Sequence, residues 1–240
     1  MRLLRSLIFF IWFYGLMVLI GLLFTPLAVW SRRGAYLGVR VFLRPAFWGL
    51  RVFCGLTAET RGTVPKGDVV IASKHQSFLD ILILLRDLPA AKFVMKRSLV
   101  WAPVVGLYAL RIGASPITRN RGFASIKELM REVGRRRALG GQLVIFPQGT
   151  RTAPGEAAPY RPGAYLICRT HNLPCVPAAT NTGCFWPRGG IIRKPGVAVI
   201  EFLEPLPSDL GARAFTKALA DRIEPASERL AAEAEARPGA

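Results

Sequence analysis

Gly67-Asp-Val-Val-Ile-Ala-Ser73, Lys74-His-Gln-Ser-Phe-Leu-Asp80 and Ile81-Leu-Ile-Leu-Leu85 follow one another without a break. The first piece is a short apolar run with β-branched residues and reads as a buried strand. The run from Asp80 onward reads as a helix. Residues 74–80 are therefore a strand-to-helix turn. In an open α/β sheet, ligands sit at the carboxyl ends of the strands, so His75 stands where chemistry is done and is the first candidate general base.

Five residues along a regular helix separate two side chains by about 140°, so His75 and Asp80 share no helical face. They meet if His75 lies in the turn, Ser77 is the N-cap and Asp80 falls in the first helical turn. A carboxylate holding one imidazole nitrogen lets the other take a proton. Ser77-Phe-Leu-Asp80 also matches the Ser-x-x-Asp capping pattern, with Asp80 favourable at a helix N-terminus. Both readings of Asp80, catalytic partner and cap, stand at this level. The other histidine, His171, lies in Cys168-Arg-Thr-His-Asn172-Leu-Pro174 and reads as a capping side chain at a helix end, with Asn172 as C-cap.

The 240-residue chain is long enough for one domain with a sizeable core plus an accessory segment. Lys and Arg number 33 against 15 Asp and Glu, a formal charge of +18. That excess calls for a polyanionic partner: nucleic acid, an anionic membrane or an acidic carrier protein. A hydrophobic content of 51% favours the membrane. Cys54, Cys168, Cys175 and Cys184 show no Cys-x-x-Cys spacing and, with two scattered histidines, make no zinc pattern. Reduced thiols in a cytosolic compartment are the expectation. There is no dinucleotide fingerprint, no Walker loop and no Gly-x-Ser-x-Gly elbow, so any phosphate falls to arginines and lysines.

Arg2 and Arg5 precede 26 uncharged residues, Ser6 to Ser31, which as a helix span roughly 39 Å. That length crosses a bilayer, and Pro26 is expected to end or kink the helix. In the next segment Arg33, Arg40, Arg44 and Arg51 fall within about 40° of one another at 100° per residue, away from an aromatic-rich face interrupted near Pro45. Such a helix lies in the membrane interface with its arginines on phosphates. Residues 1–57 are thus read as a two-helix membrane anchor. If the first helix crosses, Arg32 and Arg33 favour a cytoplasmic body on the inner membrane.

From residue 58 strands alternate with helices. The strands expected are 69–72, 92–95, 142–146, 175–180 and 197–203, and the helices 80–87, 123–139, 163–171 and 213–236, the last packing on the surface. The alternation predicts an α/β sheet covered by helices over 58–210, followed by a C-terminal helix and tail, 211–240. Two more turns end in arginine: Gly113-Ala-Ser-Pro-Ile-Thr-Arg119 and Phe146-Pro-Gln-Gly-Thr-Arg151, where Gly149 permits a tight turn. Two arginine forks suit a phosphomonoester.

His75-Gln-Ser-Phe-Leu-Asp80, Gly113-Ala-Ser-Pro-Ile-Thr-Arg119, Pro147-Gln-Gly-Thr-Arg151 and Leu173-Pro-Cys-Val-Pro177 resemble, in order and spacing, the four motifs of the 1-acylglycerol-3-phosphate acyltransferase family. Tyr160-Arg-Pro-Gly163 resembles the segment that follows its third motif. The resemblance covers about residues 58–205 and extends to the family's N-terminal membrane helices. It implies a mixed α/β sheet flanked by helices, and transfer of an acyl group from acyl-CoA or acyl carrier protein to the free sn-2 hydroxyl of 1-acylglycerol-3-phosphate, giving phosphatidic acid. On that reading His75 is the general base and Asp80 orients it. Lys96, Arg119, Gln148, Gly149, Thr150 and Arg151 bind substrate, with no metal and no cofactor beyond the thioester co-substrate. The partners implied are a lyso-phospholipid, the acyl donor and an anionic membrane surface, with no nucleic acid. Two positions depart from the family's pattern: Lys74 stands where Asn is usual, and Gln148 where Glu is usual. An acyltransferase acting on another lyso-lipid, such as lyso-ornithine lipid, is the nearest rival reading. A non-catalytic basic membrane-binding protein is the more distant one.

Overall fold

The computed structural model describes residues 1–118 and 122–236. Helix α1 (Arg2–Trp30) and helix α2 (Arg32–Cys54) form an antiparallel hairpin turned at Ser31, whose Oγ accepts from the Gly34 amide at 2.9 Å. A Cβ on Gly34 would lie 2.2 Å from the Leu27 carbonyl oxygen, so only glycine lets the two helices meet this closely. Both helices run through their prolines, Pro26 and Pro45, contrary to the breaks expected there. A single proline removes one backbone bond, and packing of the helix on its neighbour holds the rest. α1 is long and apolar enough to cross a membrane. Its buried residues, among them Ser6, Phe9, Phe13, Ile20 and Ala28, trace one stripe, and most of its other large apolar side chains are exposed.

Among the described residues seven strands form one sheet: β1 (Leu56–Arg61), β2 (Val69–Ser73), β3 (Lys92–Lys96), β4 (Ser115–Ile117), β5 (Gln142–Ile145), β6 (Cys175–Thr180) and β7 (Gly196–Phe202). Their order is β1-β7-β6-β2-β5-β3-β4, parallel except for the β6/β7 pair. The mixed α/β sheet is as expected. All five strands read from the sequence are present, and the two not foreseen are both edges. β4 has three residues, one of them Pro116, whose missing N–H an edge strand tolerates. β1 begins at Leu56, inside the expected anchor, because that fully buried side chain pairs in register with Gly196.

β2 lies between β5 and β6, and its residues alternate between two cores. Val69 and Ile71 face the layer of α1, α2 and α3 (Leu79–Asp87); Val70 and Ala72 face the layer of α5 (Phe123–Arg135), α6 (Gly163–His171) and α8 (Ala212–Ala236). The period-2 pattern of a strand buried on both faces is what makes this run continuously apolar. α8 is not a surface helix: Phe215, Leu219 and Ile223 are at most 5% exposed and close the second core. α4 (Val105–Ile112), the single turn α7 (Thr182–Phe185) and two 3-10 turns, Arg97–Trp101 and Arg137–Leu139, complete the elements among the described residues, α5 ending short of the expected residue 139. The four cysteines are free, three of them buried.

His171 ends α6 without capping it. The cap is made by backbone: Asn172 is left-handed at φ 48°, and the Leu173 amide donates to the Cys168 carbonyl at 3.0 Å. His171 Nε2 has no hydrogen-bond partner among the described residues, and burial, then Arg137, holds its pKa below the usual range.

Candidate active site

His75 leaves the carboxyl end of β2 in an extended turn, before helix α3 begins at Leu79. A neighbouring strand and a loop hold it on its two sides: the Lys74 amide donates to Ala178 O of β6 at 2.9 Å, and the Thr152 amide to His75 O at 2.9 Å. His75 Nδ1 lies 3.0 Å from Asp80 Oδ2, and the ring stacks on Phe146 with centroids 3.8 Å apart and planes 16° from parallel. Two contacts therefore fix the imidazole's rotation. With Nδ1 donating to the carboxylate, the basic lone pair is on Nε2.

Asp80 is fully buried in the first turn of α3, paired with His75 and bonded to the turn before the helix. Its Oδ2 accepts from the Gln76 and Ser77 amides at 2.8 and 2.9 Å as well as from His75. The carboxylate thus ties down the backbone of the turn that enters α3 and orients the base with the same oxygen. Ser77 is not the N-cap expected, since that position falls on Phe78. Its Oγ accepts instead from the Leu79 amide at 3.1 Å. Asp80 Oδ1 accepts from Thr182 Oγ1. The Thr180 hydroxyl is 3.4 Å from the same oxygen, but donates to Val199 O at 2.9 Å. Thr182 was not foreseen. It lies just past the carboxyl end of β6, beside β2's own, so the edge rule that singled out His75 would have singled it out too.

His75 lines a cavity of about 550 Å³ whose walls are mostly apolar, built from Phe13 and Met17 of α1, Phe42 of α2, and residues of α3, β3 and α4. Among the described residues three cations also line it. Lys96 and Arg188 are exposed and stand at the rim, while Arg151 is half buried. Burial pushes the Arg151 guanidinium below its ordinary value; Asp80 opposes that shift and Arg188 adds to it. Arg151 stays charged at neutral pH nonetheless. Arg188 is a second residue that sequence reasoning missed, with no signal of its own in so basic a chain.

Of the other residues expected to bind substrate, Thr150 lines this cavity. Gly149, at φ +73°, makes the tight turn but lines a neighbouring cavity of about 250 Å³. Gln148 is 3% exposed and turned away, with Nε2 3.3 Å from Glu224 Oε1 of α8, so it does not line the cavity. Arg119 lies outside the described residues. Among the described residues no cluster suits a metal ion.

A buried imidazole–carboxylate pair opening on an apolar cavity with cations at its rim is a site for moving a proton on a molecule with an apolar body and an anionic end. Comparison with known proteins agrees with that class. The Acyltransferase family model matches residues 56–181, and the chain belongs to that family. It is 31% identical over 160 residues to a 1-acyl-sn-glycerol-3-phosphate acyltransferase of Pseudomonas aeruginosa, covering 66% of this chain and 62% of that one. It is 33% identical over 144 residues to the chloroplastic 1-acyl-sn-glycerol-3-phosphate acyltransferase BAT2 of Brassica napus, covering 57% of this chain. The matched segment spans 62% and 41% of the length of these two relatives. The crystal structure of the 1-acyl-sn-glycerophosphate (LPA) acyltransferase PlsC from Thermotoga maritima shares the fold, with a TM-score of 0.78 at 20% identity over 99% of both chains.

Proposed function

We propose that this protein transfers a fatty acyl group from a thioester, acyl-CoA or acyl carrier protein, to the free sn-2 hydroxyl of 1-acylglycerol-3-phosphate, giving phosphatidic acid. The observation that carries the reading is the His75–Asp80 pair on the wall of an apolar cavity that also holds Arg151. His75 Nε2 takes the hydroxyl proton as the oxygen attacks the thioester carbonyl. The carbon–sulfur bond then breaks, and the imidazolium returns the proton to the departing thiolate. Asp80 stabilises the imidazolium by charge, and no acyl-enzyme is needed. The apolar walls suit an acyl chain, and Arg151, with Arg188 and Lys96 at the rim, suits the acceptor phosphate. The relatives' names support this acceptor.

The anchor reading takes a specific form. α1 touches the rest of the chain near both ends: Ser6 Oγ accepts from the Arg193 amide at 2.9 Å, and Arg111 Nε donates to Ala28 O at 2.7 Å. A helix held at both ends by one globular body lies along that body. Its exposed apolar face then enters one leaflet from the side, which brings the cavity to the lipid surface. The site faces the cytoplasm, where both thioester donors are made. Domain limits of 1–54 for the anchor and 55–236 for the body follow.

The test is purified protein with labelled acyl thioester against 1-acylglycerol-3-phosphate and a phosphate-free lyso-lipid. Transfer to the phosphate-bearing acceptor is expected. Transfer confined to the phosphate-free lipid would establish the rival acceptor, and no transfer to either would overturn the reading.

A further inference from the structure

Lys74 precedes His75 and is 1% exposed, with its ammonium on Glu224 Oε2. Glu224 comes from α8, 150 residues away in sequence. Its other oxygen accepts from Tyr160 Oη at 2.7 Å and from Gln148 Nε2 at 3.3 Å. Gln148 Oε1 is 3.4 Å from Thr152 Oγ1, and the Thr152 amide donates to His75 O. One carboxylate on α8 thus joins the turn that carries His75, the loop that carries Arg151 and the segment leading into α6. Burial and Glu224 push the Tyr160 hydroxyl well above its ordinary range, so it stays a donor.

A buried ammonium is stable only against an anion, and Lys74 has no other carboxylate partner among the described residues. The two departures from the family's pattern are then one arrangement. With a cation at 74 and the anion supplied by Glu224, a neutral Gln148 donates to that anion where a second carboxylate would repel it. We infer that Glu224 is a positioning residue for the catalytic turn. Through Lys74 and Gln148 it holds His75 and Arg151 in register, and so makes the C-terminal helix part of the site. The inference rests on the acyl-transfer reading.

In Glu224→Gln the amide has one oxygen for donors that met two and no charge to hold a buried ammonium, so Lys74 is expected to move. A displacement of about 1 Å at the base is expected to lower kcat on the order of 10²-fold, with a smaller rise in acceptor KM as the loop of Arg151 loosens. Lys74→Met combined with Glu224→Gln removes both charges and is expected to restore most of the lost kcat, since deleting both members of the pair is far less damaging than orphaning its buried ammonium. Substrate-free hydrogen exchange reads the same effect: the amides of 74–80 and 148–152 are expected to exchange faster in Glu224→Gln and to recover in the double variant. Unchanged exchange there, or a double variant exchanging as fast as the single, overturns the inference. Kinetics are compared below the lowest Tm of the set. Wild type without transfer activity would sink the acyl-transfer reading, while exchange alone still decides the role of Glu224.

Discussion

The Thr152 amide donates to the His75 carbonyl oxygen at 2.9 Å, so the loop that presents Arg151 is bonded directly to the turn that presents the base. That backbone bond helps to set proton acceptor and guanidinium relative to each other. Substitutions of their side chains are expected to act on chemistry and on binding separately.

Replacing His75 by Ala is expected to reduce acyl transfer by roughly 10²–10⁴-fold. Circular dichroism should remain that of wild type, because the turn is held by the backbones of residues 74, 75, 152 and 178. Activity within a few fold of wild type removes His75 from the mechanism.

Asp80→Asn is expected to lose both rate and stability. The asparagine has one acceptor oxygen for a cluster of donors that now comprises two backbone amides, His75 and Thr182. Each buried donor left unpaired costs about 1–3 kcal/mol, so a fall in Tm should accompany the loss of kcat. A variant that melts like wild type yet has lost its rate would mean that the bonds to the turn amides and Thr182 contribute nothing to stability. Thr182→Val, which removes one donor to the other oxygen, should show a smaller loss of both.

Arg151→Ala and Arg188→Ala are each expected to cost on the order of 10–100-fold in kcat/KM for the phosphate-bearing acceptor, the worth of one charge-assisted contact. Transfer to a phosphate-free acceptor should change much less. Lysine at 151 should rescue only in part, since it restores charge without the planar fork. Equal losses on both acceptors would take the phosphate away from these arginines.

Ile11 and Leu22 of α1 are 72% and 63% exposed. Ile11→Asp and Leu22→Asp should weaken vesicle binding without lowering Tm. Deleting residues 1–54 should instead destabilise the body, because Phe9 and Phe13 are buried against Trp186 and loss of such a phenylalanine costs about 3–5 kcal/mol each. Flotation and thermal melts of the three proteins separate membrane contact from core packing. A truncated body that melts like the whole chain would show that the hairpin is not part of the core.

Lys92, 5% exposed at the start of β3, is pushed down to about 8 by burial and then by the charge of Arg32. In the unfolded chain it returns to about 10.4. Between those values the unfolded chain holds a proton that the native protein has released, so this group's contribution raises stability as pH climbs through the window. Subtracting the denaturation profile of Lys92→Met from that of wild type should leave a difference that grows in favour of wild type between about pH 8 and 10. A flat difference would mean that Lys92 is paired or hydrated in the native state.

The local part of the site was legible in residue order. An apolar run with β-branched residues, a turn and a helical run place His75 at a strand end, and the spacing to Asp80 works only with one residue in the turn and the other in the first helical turn. The motifs ending in Arg119 and Arg151, and their likeness to one family, are also matters of order and spacing. Strands and helices announce themselves this way because their periodicities are short-range. The edge strands β1 and β4 did not, since a strand paired on one side needs little apolar pattern. Burial of α1 and α8 was equally invisible: an apolar helix reads alike whether lipid or protein covers it, and Glu224 on α8 reads as one more solvated charge. Thr182 meets Asp80 across 102 residues and Glu224 meets Lys74 across 150. Contacts of that range leave no spacing to read, because chain closure brings them together only after the sheet and both helical layers have packed.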